Sequence, residues 1–236
     1  MERVFVKDVS DLQNLNPDSC VEIDDIRDEF VLPSGLECAV LNIKNSTGIT
    51  NIPEDAKIHK LILQGKYGIL PFGDKKQKPI AVKSLVIVGM KYIPRNIKAN
   101  NLSIMDSDIE DFDLIGSYDT LEFIDCRKLK YIAPVRTKVF FISNCDNITN
   151  LDNVTVSKEV SILNAPKLKN VDFLRNSKTV FYDNIILFNI PKLTTFPSRI
   201  VTMNLQVYNT GLTTDEMIKI RENEKAINEN DKKHKL

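Results

Sequence analysis

Apolar residues recur along this chain on a fixed template, not at a plain helix or strand period. Aligning LEFIDCRKLKYI from Leu121, FFISNCDNITNL from Phe140 and VSILNAPKLKNV from Val160 puts apolar side chains at offsets 0, +2, +5, +8 and +11. The same template starts at Val4, Val21, Leu41, Leu61, Leu85, Leu102, Leu121, Phe140, Val160, Ile185 and Leu205. Neighbouring starts lie 17 to 25 residues apart. Of 55 template positions, 45 are apolar or Cys, against 42% of the whole chain. A repeat of about twenty residues decides the architecture before any single motif does.

The periods predict the local structure. Offsets 0 and +2 share one face of a short strand and point inward, while +1 and +3 point out. Offsets +5, +8 and +11 step by three, as in an irregular or 3₁₀-like turn with one buried face. Four units add a proline eight residues before the next start: Pro33, Pro53, Pro94 and Pro197. Proline stops the turn and presets an extended return. Three residues after each proline comes an aliphatic residue or alanine: Leu36, Ala56, Ile97 and Ile200. One such unit cannot bury its own apolar face, but a stack of them can. The unit at Leu102 is expected to use Ile109 and Phe112 with a shortened turn. The extra residues in KYGILPFGDKKQKPIAVK and LRNSKTVFYDN are expected to be outer loops.

The pattern L-x-I-x-x-C-x-x-L-x-x-I-P resembles a leucine-rich repeat protein over roughly residues 4 to 212. The I-P-x-x-I-x-x-x-x-L-x-I segments are similar to short bacterial effector-type repeats, and the C-x-x-L-x-x-I segments to a bacterial surface-protein type. The resemblance implies an α/β repeat solenoid, with a parallel sheet on the concave face and irregular or 3₁₀ turns on the convex side. It also implies a cytoplasmic protein of bacterial or phage type that works by protein–protein interaction. The family usually has Asn at offset +5. Here that column reads Val9, Ile26, Ser46, Lys66, Met90, Ser107, Cys126, Cys145, Ala165, Ile190 and Thr210, so a broken polar ladder is expected.

This reading divides the chain into a solenoid of about eleven units over 1–212 and a capping helix with a polar tail over 213–236. Thr213-Thr-Asp-Glu216 has the spacing of a capping box, in which Thr and Glu satisfy each other's first-turn amides. A helix is therefore expected from Thr214 into the 220s, with Met217, Ile218 and Ile220 covering the last repeat.

Two outward columns carry the candidate site. Offset +3 includes Val88, Met105, Ile124, Leu163, Phe188 and Tyr208, broken among them only by Ser143. Offset +1 adds Ile62, Val86, Phe141 and Ile186. Apolar residues gathered on a face that meets solvent mark a protein-binding surface. The expectation is a non-catalytic adaptor or inhibitor that binds a protein partner through the concave sheet.

Charge adds an alternative. The chain has 32 basic and 32 acidic residues, yet residues 1 to 37 hold ten acids and three bases, while 56 to 100 hold ten bases and one acid. Lys75, Lys76, Lys78, Lys91 and Arg95 are candidate electrostatic contacts in the basic region 57–98. The runner-up function is nucleic-acid binding there, and the third is a self-assembling structural subunit. The acidic run Glu22, Asp24, Asp25, Asp28 and Glu29 lacks the spacing of a calcium loop.

Catalysis, a cofactor, a metal and a membrane partner are not expected. The two histidines, His59 and His234, have no nucleophile near them in sequence, and no phosphate-binding, dinucleotide or zinc-protease motif occurs. Cys20, Cys38, Cys126 and Cys145 form no C-x-x-C pair. Scattered thiols, and a start (MERVFVKDVSDLQNL) that is charged and not signal-like, point to a reducing cytoplasm. On that reading the N-x-T/S triplets at Asn45, Asn147 and Asn153 are chance.

Overall fold

In the computed structural model the chain is a parallel-strand β-solenoid with one short C-terminal helix. The structure describes residues 2–49, 52–65, 79–176, 181–198 and 200–220. It divides into two compact units, Met1–Ile109 and Glu110–Leu236.

The first unit stacks β1 (Arg3–Val6), β2 (Cys20–Asp24), β3 (Glu37–Lys44), β4 (Lys57–Gln64), β5 (Ile80–Val88) and β6 (Ile97–Met105), in that order and all parallel. The second holds β7 (Asp111–Phe112) paired with β9 (Tyr131–Ile132). Its main stack is β8 (Gly116–Ile124), β10 (Val135–Ser143), β11 (Val154–Leu163), β12 (Phe181–Ile190) and β13 (Val201–Thr210), again parallel.

The strand register reproduces the repeat. In the first unit Val4, Val21, Leu41, Leu61, Leu85 and Leu102 are successive partners. In the second, Leu121, Phe140, Val160, Ile185 and Leu205 are. Offsets 0 and +2 are fully buried through the middle of each stack, as at Leu41, Ile43, Leu61 and Leu63, or Phe140, Ile142, Val160 and Ile162. Ile109 and Phe112 are both buried, as the short unit at Leu102 requires.

The return segments correct the α/β expectation. Among the described residues only 214–220 are α-helical, and 3₁₀ turns occur at Val9–Leu12 and Asp172–Arg175. The reason is a second alternating pair ahead of several strand cores. Ile80 and Val82, Val135 and Thr137, and Val154 and Val156 all point inward and are buried. Between this pair and offset 0, two consecutive residues face out, as at Lys83 and Ser84 or Lys138 and Val139. A strict period of two forbids that, so the strand bends there. The shift between Thr137 and Val139 in the β10–β11 pairing marks one such corner. Each long strand is thus two extended arms, and the solenoid wall that an α/β fold would build from helices is built from extended chain.

The insertions are also not simple outer loops. Residues 66–78 lie outside the described residues, but Ile80 and Val82 from the end of that segment are core. In LRNSKTVFYDN, Leu174 and Tyr182 are fully buried, and the Tyr182 hydroxyl donates to the Leu174 carbonyl at 2.7 Å. Burial pushes the Tyr182 phenol up to about 12. Phe173 packs edge-on against Phe140, ring centroids 6.1 Å apart.

A polar ladder exists, one residue earlier than expected. Offset +4 reads Asp8, Asp25, Asn45, Gly65, Gly89, Asp106, Asp125, Asn144, Asn164, Asn189 and Asn209. The Asp and Asn residues from Asp25 to Asn209 in this column are left-handed, with φ between 46° and 56°. Asx residues tolerate this region better than other side chains because they hydrogen-bond locally. In the second unit the amides form a continuous run. Asn144 Nδ2 donates to Asp125 Oδ1 at 2.8 Å, Asn164 to Asn144 at 2.7 Å, Asn189 to Asn164 at 2.9 Å and Asn209 to Asn189 at 2.8 Å. Offset +5 holds a small buried group in several turns. Ser46, Ser107, Cys126 and Cys145 each donate to the carbonyl at offset +3 of their own strand.

The capping box forms. The Thr213 backbone amide and hydroxyl donate to Glu216 Oε2 at 2.8 and 2.9 Å, and the Glu216 amide donates to Thr213 Oγ1 at 3.3 Å. Those bonds hold the Glu216 carboxyl below its usual range. Ile220 is buried and Met217 half-buried, but Ile218 is exposed, so the helix presents two of the three expected residues inward.

Asn164 sits mid-ladder and uses both its donor and its acceptor. Asn164→Ala loses two hydrogen bonds at about 1 kcal/mol each and places Ala in a left-handed conformation at about 1–2 kcal/mol. Urea unfolding should show a loss of about 3–4 kcal/mol, against about 2 kcal/mol for Asn164→Gly, which keeps the backbone freedom. Equal losses for the two variants would remove the left-handed corner from the account.

Candidate interaction face

The parallel register lines up the outward residues as strictly as the core. In the second unit the offset +3 column runs Ile124, Ser143, Leu163, Phe188, Tyr208. The offset +1 column beside it runs Glu122, Phe141, Ser161, Ile186, Gln206. All six expected residues of this unit, Ile124, Phe141, Leu163, Ile186, Phe188 and Tyr208, therefore share one outward face. Four of them are half-buried by their stacked neighbours, while Phe188 is 44% and Tyr208 60% exposed. The apolar density is greatest at Leu163, Ile186, Phe188 and Tyr208, on adjacent strands β11 to β13.

The amide ladder borders this column directly. Each ladder residue follows an offset +3 residue in the chain, and the backbone amides of Asp125, Asn144 and Asn164 reach the offset +3 carbonyl of the next strand. Asp125 donates to Ser143 O at 2.9 Å, Asn144 to Leu163 O at 3.0 Å and Asn164 to Phe188 O at 2.9 Å. The ladder thus fixes where the +3 side chains stand and offers a polar rim beside them.

The first unit carries a smaller cluster of its own. Ile62 lies beside Val86, and Val88 beside Met105, all half-buried. Nearer β1 the same face is polar. Lys44 Nζ meets Glu22 Oε1 at 2.5 Å, and Gln64 donates to Asn42 at 3.2 Å.

Of the candidate electrostatic residues, Lys91 and Arg95 are exposed in the turn between β5 and β6. Lys75, Lys76 and Lys78 lie outside the described residues, as does His234. Residues missed by the repeat template are Lys57, Lys83 and Lys98, exposed on the bent outer arms of β4 to β6. Lys57 is paired with Glu37 at 3.0 Å. The signal for them was the arm ahead of offset 0, which the template did not include.

Chemistry at the thiols is suppressed. Cys38, Cys126 and Cys145 are buried, and no disulfide joins any of the four cysteines. Burial, with the neighbouring Cys20, pushes the Cys38 thiol up to about 11. The hydrogen bond with Cys126, followed by burial, holds the Cys145 thiol well above the ordinary range. The thiolate is the nucleophile, so neither is poised for attack. His59 is exposed on β4. Among the described residues no group of three or more His, Cys, Asp or Glu side chains could hold a metal ion. Among them, too, no helix is long and apolar enough to cross a membrane.

Comparison of the chain with protein-family models, with curated proteins and with solved structures returned no match.

In native protein at pH 8, alkylation followed by peptide mass mapping should leave Cys38, Cys126 and Cys145 unmodified, and unfolding in urea should expose all three. Rapid native labelling of Cys145 would contradict its burial.

Proposed function

We propose that this chain is a non-catalytic binding module that takes a protein partner on the outward face of its parallel sheet. The observation that carries the reading is the in-register apolar column Leu163, Phe188, Tyr208, with Ile186 beside it. Aromatic and branched apolar side chains on a rigid sheet lose little entropy when a partner covers them. The amide ladder supplies a polar rim of the kind that surrounds such anchors. The repeated spacing supports the further proposal that the turns are a divergent form of the leucine-rich-repeat unit, with extended return arms. Four free thiols fit a reducing, cytoplasmic setting. An adaptor or inhibitor role follows from a face that binds without chemistry.

A second reading, nucleic-acid binding, draws on the exposed Lys83, Lys91, Arg95 and Lys98 of the first unit. Binding of that kind weakens steeply with salt.

The test compares wild type with Phe188→Glu and Ile124→Glu in a nuclease-treated pull-down from source-cell lysate, read by mass spectrometry. Both positions face outward, so the variants should keep the wild-type circular dichroism. A protein captured by wild type and lost by at least tenfold in either variant is the expected result. Equal capture by all three would remove the face from consideration. Recovery of nucleic acid alone, when nuclease is omitted, would move the function to the basic arm.

A further inference from the structure

Among the described residues the last strand ends the second unit as an unpaired edge with unusual composition. β13, VTMNLQVYNT, is ten residues long and holds no charged residue, no proline and no glycine. Sheet edges are ordinarily blunted by charge, proline or short length. The first unit's edge strand β1 follows that rule: four residues, opening on Arg3 and followed at once by Lys7 and Asp8.

The side chains of β13 are also incompletely covered. Leu205 and Val207 stand at the inward offsets 0 and +2 but are only half-buried, whereas their neighbours Ile185 and Leu187 on β12 are fully buried. On the outward side Met203 is 73% exposed. The chain leaves the edge at Gly211, where a side-chain carbon would lie 2.4 Å from the Pro191 carbonyl oxygen. At that point it lies against the preceding turn. Among the described residues, β12 alone pairs with β13.

We propose that β13 pairs antiparallel with β13 of a second copy of this chain, about a two-fold axis through Gln206. The strand's own chemistry selects this occupant. A strand that meets itself places equal or nearby residues about 5 Å apart, where any charge would face its like. β13 has none. Centring the pair on Gln206 sets Gln206 against its twin, Leu205 against Val207 and Asn204 against Tyr208. Each of these pairs joins residues of the same face, as cross-strand partners must. The half-open Leu205 and Val207 of both copies then close over one another. A two-fold contact of this kind is closed and does not propagate. The dimer leaves Phe188 and Ile186 outward on both copies and does not depend on the partner-binding reading.

The experiment uses the full chain. Sedimentation equilibrium of wild type should give twice 26.9 kDa, and Gln206→Lys, which opposes two ammonium groups at the axis, should give the monomer with unchanged circular dichroism. In a Cys20→Ser background, Gln206→Cys should cross-link to its twin under mild oxidation. Tyr208→Cys, whose partner is residue 204, should not. A wild type that stays monomeric at every concentration overturns the proposal. So does an assembly that grows without limit with concentration, which is the mark of head-to-tail stacking. A dimer that survives Gln206→Lys without forming the 206–206 disulfide overturns it as well. If Gln206→Lys fails to fold, the cross-linking pair decides alone.

Discussion

Along both stacks backbone amides at offset +4 donate to the carbonyl at offset +3 of the next turn, and apart from Gly65 they reach it from a left-handed backbone. Lys44 O, Gln64 O, Val88 O, Met105 O, Ser143 O, Leu163 O and Phe188 O all accept such a bond. The corner ends the sheet strand, turns the chain inward for offset +5, and holds neighbouring turns in register. An L-residue in this conformation costs about 1–2 kcal/mol, so the column is confined to Gly, Asp and Asn. In the second unit the Asn amides return part of that cost by bonding one another. The inward stacking of Phe140, Val160 and Ile185 and the outward alignment of Leu163, Phe188 and Tyr208 both depend on that corner.

Much of this was legible in the sequence because a parallel stack converts spacing into contact. The starts that periodicity marks are the residues that the strands pair, including Leu102, whose turn is shortened, and Ile185, which follows the longest spacing. What escaped was the half of each turn before offset 0. Its apolar residues, such as Val82 and Val156, alternate at period two but fall out of phase with the strand core because two outward residues intervene. A single-period template cannot follow a bent strand. The ladder escaped for a related reason. The family pattern directs attention to Asn at offset +5, whereas here the Asx column stands one place earlier and offset +5 is given in five turns to Ser, Cys or Ala.

The candidate face was legible residue by residue but not in its degree of exposure. Sequence places Ile124 and Phe188 in the same column. Only the structure separates them: Ile124 is half-buried, while Phe188, next to the last strand β13, is exposed. The basic residues behave in the opposite way. Lys83 and Lys98 are far apart in sequence and unremarkable within their segments, yet the bend of β5 and β6 puts both on the outer arm, away from the apolar columns. Apolar and basic surfaces of the first unit thus lie on different arms of the same strands.

The ladder also has a direction, and with it a chemical clock. Every Asn of the second unit's ladder donates to the turn before it, and the series ends on Asp125, which can only accept. An aspartate is therefore compatible with the first rung and with no later one. Asparagine is among the thermolabile side chains, and its slow hydrolysis to aspartate at Asn144, Asn164 or Asn189 would delete a donor and set a carboxylate oxygen against the acceptor oxygen that the amide nitrogen now meets at 2.7 to 2.9 Å. The protein's shelf life is then written in one column: the first hydrolysed rung should loosen the turn on either side of it, long before any bond in the core is touched.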